Sequence, residues 1–207
     1  LGSFRFKNDT FFENRIDEHD LIIAVGTRLA YPEFLTNQKV LQIDIDEAEI
    51  GRNYENTEGI LGDAKKSLAS LLEALRSRMS ARDSRKDELS RIKEERFNPS
   101  TVIEPQDSYV RAIRNAMPDD GILISGMTQI GYYSRNKYEV YEPRTYLTSS
   151  YYGNLGFAYP TALGAKVAKP ERAVVAVSGD GGFMFNVQEL STAVRHNINA
   201  VVIVFND

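Results

Sequence analysis

Residues 172–207 read RAVVAVSGDGGFMFNVQELSTAVRHNINAVVIVFND, and this stretch decides the fold. Its apolar runs Ala173–Ser178 and Ala200–Phe205 have the length and valine content of buried strands. A Gly-Asp-Gly-Gly turn follows the first run, and apolar residues in 187–194 then recur at helical spacing. Strand, helix and strand in this order predict a βαβ unit whose two strands are parallel neighbours.

Two aspartates follow the strands of this predicted unit. Asp180 and Asp207 each lie just past a carboxyl end, the edge of an open α/β sheet at which ligands bind. Paired carboxylates suit Mg²⁺, and Gly179, Gly181 and Gly182 let backbone N–H groups approach a phosphate beside a helix start. The pattern favours a metal and phosphate site; the alternative is that these are ordinary turn residues at strand ends.

The stretch from Gly179 onward also resembles a known signature. GDGGFMFNVQELSTAVRHNINAVVIVFND is similar to the thiamine diphosphate motif of the acetolactate synthase and benzoylformate decarboxylase group, Gly-Asp-Gly followed at a set distance by Asn-Asn or Asn-Asp. The resemblance implies that Asp180 and Asp207 bind Mg²⁺ beside the cofactor's diphosphate. Many relatives have Asn where Asp207 stands, and the third family ligand, a backbone carbonyl, would lie beyond Asp207. We therefore expect the isolated chain to bind the cofactor weakly.

Two earlier turns belong to the same predicted edge. Ile122–Ser125 is a predicted strand that ends in Gly-Met-Thr-Gln, and GNLGFAYPTALGAKVAKPER resembles the family as closely as the terminal stretch does. The resemblance implies that Met127, through its backbone, and Thr128 contact the diphosphate. It also implies that the Gly153 carbonyl accepts a hydrogen bond from the aminopyrimidine and that Leu155 is an apolar wedge beneath the cofactor. A helix cap at Thr128 and an ordinary core leucine at 155 are the alternatives.

The first part of the chain predicts a second parallel unit. Apolar runs at Leu21–Val25, Val40–Ile45 and Gly59–Leu61 are followed by Asp63, a good N-cap for a leucine-lined helix. DLIIAVGTRL, QIDIDEAEIGRN and GDAK resemble the middle domain of the same family, which in some relatives holds FAD or an adenine nucleotide. The candidate contacts are Gly26, Thr27, Arg28, Asp44 and Asp46. The alternative is that these residues cap strands and form surface ion pairs.

We therefore predict an α/β fold of two three-layer, parallel-sheet units, Rossmann-like and doubly wound, both incomplete. The predicted domains are a middle domain at 1–80, a charged linker at 81–104 and a diphosphate-binding domain at 105–207. Segment 76–96 interleaves acids and bases, which is typical of a solvated helix or linker. Most of the tyrosines fall in 132–159, where we expect them to wall a pocket or a subunit interface.

Composition excludes several other classes of protein. A net charge of −4 argues against general nucleic-acid binding, and the absence of cysteine excludes disulfides and thiolate zinc sites. The apolar runs are too short to span a membrane, and no signal peptide is visible. His19 and His196 have no catalytic pattern around them. We expect a cytoplasmic protein without nucleic-acid or membrane partners.

The resemblance implies a thiamine diphosphate- and Mg²⁺-dependent decarboxylase or carboligase of 2-keto acids, a lyase or transferase similar to acetolactate synthase. In this family the glutamate that activates the cofactor lies on a separate domain of a second subunit, so we assign no catalytic residue here. A homodimer or homotetramer with a shared active site follows, and the chain alone is expected to be inactive. Two alternatives stay open: a nucleotide-binding module of an oxidoreductase, and a non-catalytic assembly subunit.

Overall fold

A computed structural model of the chain describes residues 10–30, 35–96, 102–149 and 152–206. They form two compact units, which divide between Ile92 and Lys93. Each unit is built on one parallel sheet, as the sequence predicts. The division falls inside the predicted linker, and the exact domain bounds remain predictions. No helix within the described ranges is long and apolar enough to cross a membrane.

The first unit holds a three-stranded parallel sheet in the order β1-β2-β3, preceded by helix α1 (Thr10–Asp17). The strands are β1 (Leu21–Val25), β2 (Lys39–Asp44) and β3 (Thr57–Leu61), with a 3-10 turn at Glu47–Glu49. Because β2 is central, Val40 and Ile43 are fully buried. The three predicted strands are confirmed, although β3 begins earlier than its apolar residues indicate.

The helix after β3 begins where the sequence predicts. The Asp63 carboxylate accepts a hydrogen bond from the Lys66 backbone N–H at 3.0 Å, so it satisfies one of the free amides at the start of α2 (Ala64–Arg76). The charged segment that follows contains a second helix, α3 (Lys86–Arg96), whose described side chains are mostly exposed. A solvated helix is therefore present in this part of the chain.

The second unit holds a four-stranded sheet in the order β5-β4-β6-β7, and all described pairs are parallel. Its strands are β4 (Ile122–Ser125), β5 (Tyr146–Thr148), β6 (Val174–Gly179) and β7 (Val201–Phe205). Its helices are α4 (Gln106–Ala116), α5 (Gln129–Lys137), α6 (Ala158–Ala168), α7 (Asp180–Met184) and α8 (Glu189–Arg195). The predicted neighbours β6 and β7 pair directly.

Alternating side chains of this sheet enter two separate cores. Leu123 and Val177 face α4 and α5, where they pack against Val110 and Ile113. Ile122, Ile124, Val174 and Ala176 face the other way, against Ala158 and Ala162 of α6. Because both faces are covered, β4 and β6 are buried along nearly their whole length, which explains why their sequences are continuous apolar runs. The unit is three-layered, as predicted.

The segment between β6 and β7 differs from the single predicted helix. It forms two short helices, α7 and α8, with Val187 in the break between them. Asn186 donates its side-chain N–H to the Gly156 carbonyl at 2.8 Å, which ties the break to a distant turn. Val194, expected on the buried face, is 78% exposed. The predicted helical pattern is largely retained in α8, and the hydrogen bond of Asn186 lies in the break that precedes it.

A buried carboxylate joins α4 to α5. Asp107 is 3% exposed; it accepts a hydrogen bond from the Tyr133 hydroxyl at 2.7 Å and pairs with Arg111 one turn along its own helix. Burial, followed by the hydrogen bond to Asp107, raises the pKa of Tyr133 from 10.0 to about 12. The folded chain therefore favours the protonated phenol.

From the hydrogen bond between Tyr133 and Asp107 we predict a loss of folding stability at alkaline pH. Because the pKa of Tyr133 is raised on folding, its contribution is complete below pH 10.0 and is lost as the pH rises through about 12. Tyr133→Phe should cost about 1 kcal/mol at neutral pH, and the difference from wild type should shrink above pH 10.0. Urea unfolding of both proteins across this range measures the effect. A difference that stays constant with pH would contradict the assignment.

Candidate functional site

Three turns of the second unit meet at the carboxyl edge of its sheet. They are the turn after β4, the loop before α6 and the turn after β6, namely 126–128, 152–156 and 179–182. A Cβ atom at Gly179 would lie 3.6 Å from the Thr128 hydroxyl oxygen and 3.9 Å from the Phe205 carbonyl oxygen. The ends of β4, β6 and β7 are thus within a few ångströms of one another, as the sequence predicts.

Glycines allow the turn after β4 to lie against both β6 and α5. Gly126 donates its N–H to the Val177 carbonyl at 2.8 Å, and a Cβ there would approach that oxygen to 2.7 Å. A Cβ at Gly131 would overlap the Gly126 carbonyl oxygen and come within 3.0 Å of Ser125 Oγ. The sequence alone assigns no role to either glycine. The reason for each is a contact with another element, which spacing in the sequence does not reveal.

A buried hydroxyl network supports this turn from below. Ser134 donates to the Gly131 carbonyl at 2.8 Å, and its oxygen lies 2.7 Å from the Tyr146 hydroxyl. Ser125 and Ser134 are 0% and 4% exposed. Burial raises the pKa of Tyr146, although its hydrogen bonds to the two serines and the charge of Arg135 act in the opposite direction. The network joins β4, α5 and β5 beneath the edge.

Met127 and Gly153, predicted to contact opposite ends of one ligand, lie next to each other. Gly153 has φ +56°, in the left-handed region that favours glycine, and a Cβ there would lie 3.1 Å from Met127 Cε. Both a positive φ and limited space therefore require glycine at this position. Thr128 is the residue before α5, and its side chain makes no capping hydrogen bond in the structure described, so the capping alternative gains no support.

Leu155 is exposed between two constrained glycines. Its side chain is 50% exposed, and its Cδ2 would lie 3.9 Å from a Cβ at Gly182. Gly156 has φ +81°, and a Cβ there would come within 2.5 Å of the Asn186 amide nitrogen. Asn186 was not singled out in the sequence. A core leucine would be buried, so this exposure fits a side chain that supports a ligand.

Asp180 occupies the first position of α7 and its residue is exposed at the sheet edge. Beside it, Gly181 has open space where a Cβ would project, while a Cβ at Gly182 would lie 3.1 Å from Ser178 Oγ. Asp207 lies outside the described residues. Within those residues, no group of three or more His, Cys, Asp or Glu side chains could hold a metal ion. The oxygen donor at Asp180 nevertheless fits a hard cation, and the open glycine backbone fits an anion.

The tyrosines of 132–159 do not form one surface. Tyr138 and Tyr159 are buried at 8% and 4% exposure, and both pack in the core of the unit. Tyr132, Tyr141 and Tyr152 are 45%, 53% and 92% exposed. The role of the exposed ones as a pocket wall or interface remains a prediction.

The candidate nucleotide contacts of the first unit have local partners. The Asp44 carboxylate accepts from the Asp46 N–H at 3.0 Å, and that of Asp46 accepts from the Ala48 N–H at 3.0 Å. Thr27 Oγ1 accepts from Leu29 N–H, and the Arg28 carbonyl accepts from Asn53. Gly26 has φ +59° with open space around it. These capping bonds favour a structural role for the aspartates, and a bound FAD or adenine nucleotide stays a prediction.

The chain is similar to known proteins in both units. Residues 126–207 match the family described as thiamine pyrophosphate enzyme, C-terminal TPP binding domain. Residues 1–71 match the family described as thiamine pyrophosphate enzyme, central domain. These matches agree with the resemblance read from the sequence, and they assign the two units to a central and a cofactor-binding domain.

Individual relatives extend the comparison. The chain is 32% identical to a probable acetolactate synthase large subunit of Methanococcus aeolicus, over 93% of this chain and 36% of the relative. It is 34% identical to the acetolactate synthase large subunit of Haemophilus influenzae, over 92% of this chain and 35% of the relative. It is 32% identical to a probable 2-ketoarginine decarboxylase of Pseudomonas aeruginosa, over 86% of this chain and 33% of the relative. The chain thus spans about a third of the length of these curated relatives.

Proposed function

Because the chain belongs to the thiamine pyrophosphate enzyme family, we propose that the protein carrying it is a thiamine diphosphate- and Mg²⁺-dependent decarboxylase or carboligase of 2-keto acids. The observation that carries the proposal is the meeting of three glycine-containing turns around the exposed Leu155. Relatives named acetolactate synthase and 2-ketoarginine decarboxylase support the substrate class. When bound, thiamine diphosphate supplies the nucleophilic carbon that attacks the keto group and accepts electrons as carbon dioxide leaves.

In this proposal each turn has its own task. Asp180, with Asp207, would hold Mg²⁺, and the backbone N–H groups of Gly179, Gly181 and Gly182 would bind the diphosphate. Met127, through its backbone, and Thr128 contact the diphosphate from the turn after β4. These groups bind and orient the cofactor, and the described residues contribute no acid or base to the reaction.

The turn between β5 and α6 holds the reactive part of the cofactor. The Gly153 carbonyl would accept a hydrogen bond from the aminopyrimidine, and the Leu155 side chain would support the cofactor from below as an apolar wedge. A branched apolar side chain suits this task because it is bulky and makes no competing hydrogen bonds. The glycines on either side allow the backbone to place it at the sheet edge.

We further propose that the enzyme is a homodimer or homotetramer whose active site is shared between subunits. The 92% exposed Tyr152 beside the site supplies an aromatic surface for a second subunit to cover. The group that activates the aminopyrimidine would then come from that subunit. On this basis the chain alone would not catalyse the reaction.

Leu155→Ala tests the proposal. In the complete protein we expect turnover of pyruvate or another 2-keto acid to fall by about 100-fold, because a small displacement of the reacting atoms has an effect of that order. The affinity for thiamine diphosphate should change less, and stability little, because the side chain is already 50% exposed. Turnover is measured as carbon dioxide release and binding as calorimetric titration in the presence of Mg²⁺.

Val167→Ala is a matched control, since Val167 is 64% exposed near the end of α6, at the opposite edge of the sheet. It should leave turnover unchanged. Full activity of Leu155→Ala would contradict the proposed role of Leu155 as a wedge beneath the cofactor. A wild-type protein that neither binds thiamine diphosphate nor releases carbon dioxide would contradict the proposed function and favour a non-catalytic subunit.

A further inference from the structure

Arg135 lies on α5 with an unusual set of partners. Its terminal guanidinium nitrogen donates to the Met127 sulfur at 3.3 Å, and its Cζ lies 5.4 Å from the centre of the Tyr132 ring. Its Nε is buried and, within the described structure, makes no hydrogen bond. A thioether is a weak acceptor, so the contact with Met127 satisfies the guanidinium less well than a carbonyl or carboxylate oxygen would.

Met127 is the residue that this contact restrains. A methionine side chain has three rotatable bonds and adapts readily to its surroundings, so without a restraint its methyl group would sample several positions. Here Met127 Cε occupies the space beneath the Gly153 turn, 3.1 Å from where a Cβ on Gly153 would stand. The position of Met127 therefore limits how close the turn at Gly153 can come to the turn after β4.

An unpaired buried N–H lowers stability, so packing alone does not explain why arginine stands at this position. A methionine, which is also long and unbranched, would fill much of the same space without an unsatisfied donor. The unpaired Nε of Arg135 fits a side chain that lowers the stability of the fold slightly while it holds Met127 in place.

We propose that Arg135 is a positioning residue that acts through Met127. By holding the Met127 side chain beneath Gly153, it sets the separation between the turn that faces the diphosphate and the turn that faces the aminopyrimidine. The two turns are the ones proposed to contact the two ends of a single cofactor, so this inference rests on the proposed function. In this proposal Arg135 acts on the cofactor only through Met127.

A double-mutant cycle in the complete protein tests the coupling. The variants are Arg135→Gln, Met127→Leu and the double variant, and the measurement is calorimetric titration with thiamine diphosphate at saturating Mg²⁺. We expect each single substitution to weaken binding by about tenfold and the double variant to be no weaker than the weaker single, because both changes break one contact. Arg172→Gln is the control: Arg172 precedes β6 at the opposite edge, and its removal should leave the affinity unchanged.

The outcomes separate three possibilities. Losses that multiply in the double variant, or wild-type affinity in Arg135→Gln, would overturn the inference while leaving the proposed function intact. A wild-type protein that binds no thiamine diphosphate would overturn both. The cofactor-free Arg135→Gln protein should unfold at the wild-type urea midpoint or above it, since an unpaired donor has been removed. A clear decrease would show a purely structural role, and Met127→Leu still reports on the contact if Arg135→Gln fails to fold.

Discussion

Asp180→Ala in the complete protein is expected to weaken Mg²⁺-dependent binding of thiamine diphosphate by about 100-fold and to abolish turnover of 2-keto acids at ordinary cofactor concentrations. A charged oxygen that coordinates or hydrogen-bonds a ligand is worth about 1.5–3 kcal/mol, and each 1.4 kcal/mol is a factor of ten. Asp180 follows β6 directly, and Gly179 pairs with Phe205 at the end of β7. Asp180 therefore lies at the same edge of the sheet as the end of β7, the strand that precedes the predicted second ligand in the sequence.

Asp180→Asn should lie between the wild type and the alanine variant, because an amide keeps an oxygen ligand but loses the charge. Mg²⁺ titrations at fixed thiamine diphosphate measure both variants. Asp119→Ala is the control: Asp119 is an exposed carboxylate that precedes β4, at the opposite edge of the sheet, and its loss should not change cofactor binding. Retained Mg²⁺-dependent affinity in Asp180→Ala would exclude this carboxylate as a ligand.

The strands could be predicted closely from the sequence because each is a short apolar run with a clear end, although Leu21 and Ile23 of β1 are 43% and 49% exposed. Leu21–Val25 and Ile122–Ser125 are strands with the predicted bounds, since each is a short apolar run that ends at glycine. β2 and β6 are each shifted by one residue from the predicted bounds, and β3 begins at Thr57, before its apolar run. Glu58 lies on an edge strand, where it pairs with Lys39 at 2.7 Å, and this polar residue breaks the apolar run without breaking the strand.

The residues of the candidate site could be predicted from the sequence only where they belong to a recognisable motif. Asp180 and the glycines beside it carry a recognisable signature, and Gly153 and Leu155 belong to a second one. Asn186 and Arg135 carry none, because their importance comes from partners that the fold brings near. The Gly156 carbonyl is 30 residues from Asn186 in the chain, and no local pattern links the two.

Gly131→Ala is expected to destabilise the protein by about 2–3 kcal/mol, although alanine is the better helix former. Its methyl group would overlap the Gly126 carbonyl oxygen and press on Ser125 Oγ, and overpacking of this kind costs about 1–3 kcal/mol. Gly126 cannot move away easily, because its N–H donates to the Val177 carbonyl on β6 at 2.8 Å and a Cβ built on Gly126 would already come within 2.7 Å of that oxygen. The strain must therefore displace α5 from β4, and with it Met127 and Thr128.

The chain offers a matched control for this change in Gly164, a glycine of α6 that is exposed and has nothing within 4 Å of where a Cβ would stand. Gly164→Ala should stabilise the protein by up to about 1 kcal/mol, because alanine reduces the freedom of the unfolded chain and favours the helix. The same substitution in two helices is thus predicted to have opposite signs. Urea unfolding of both variants measures the two changes in stability. If Gly131→Ala is as stable as Gly164→Ala, the contact between α5 and the turn after β4 does not hold that turn in place.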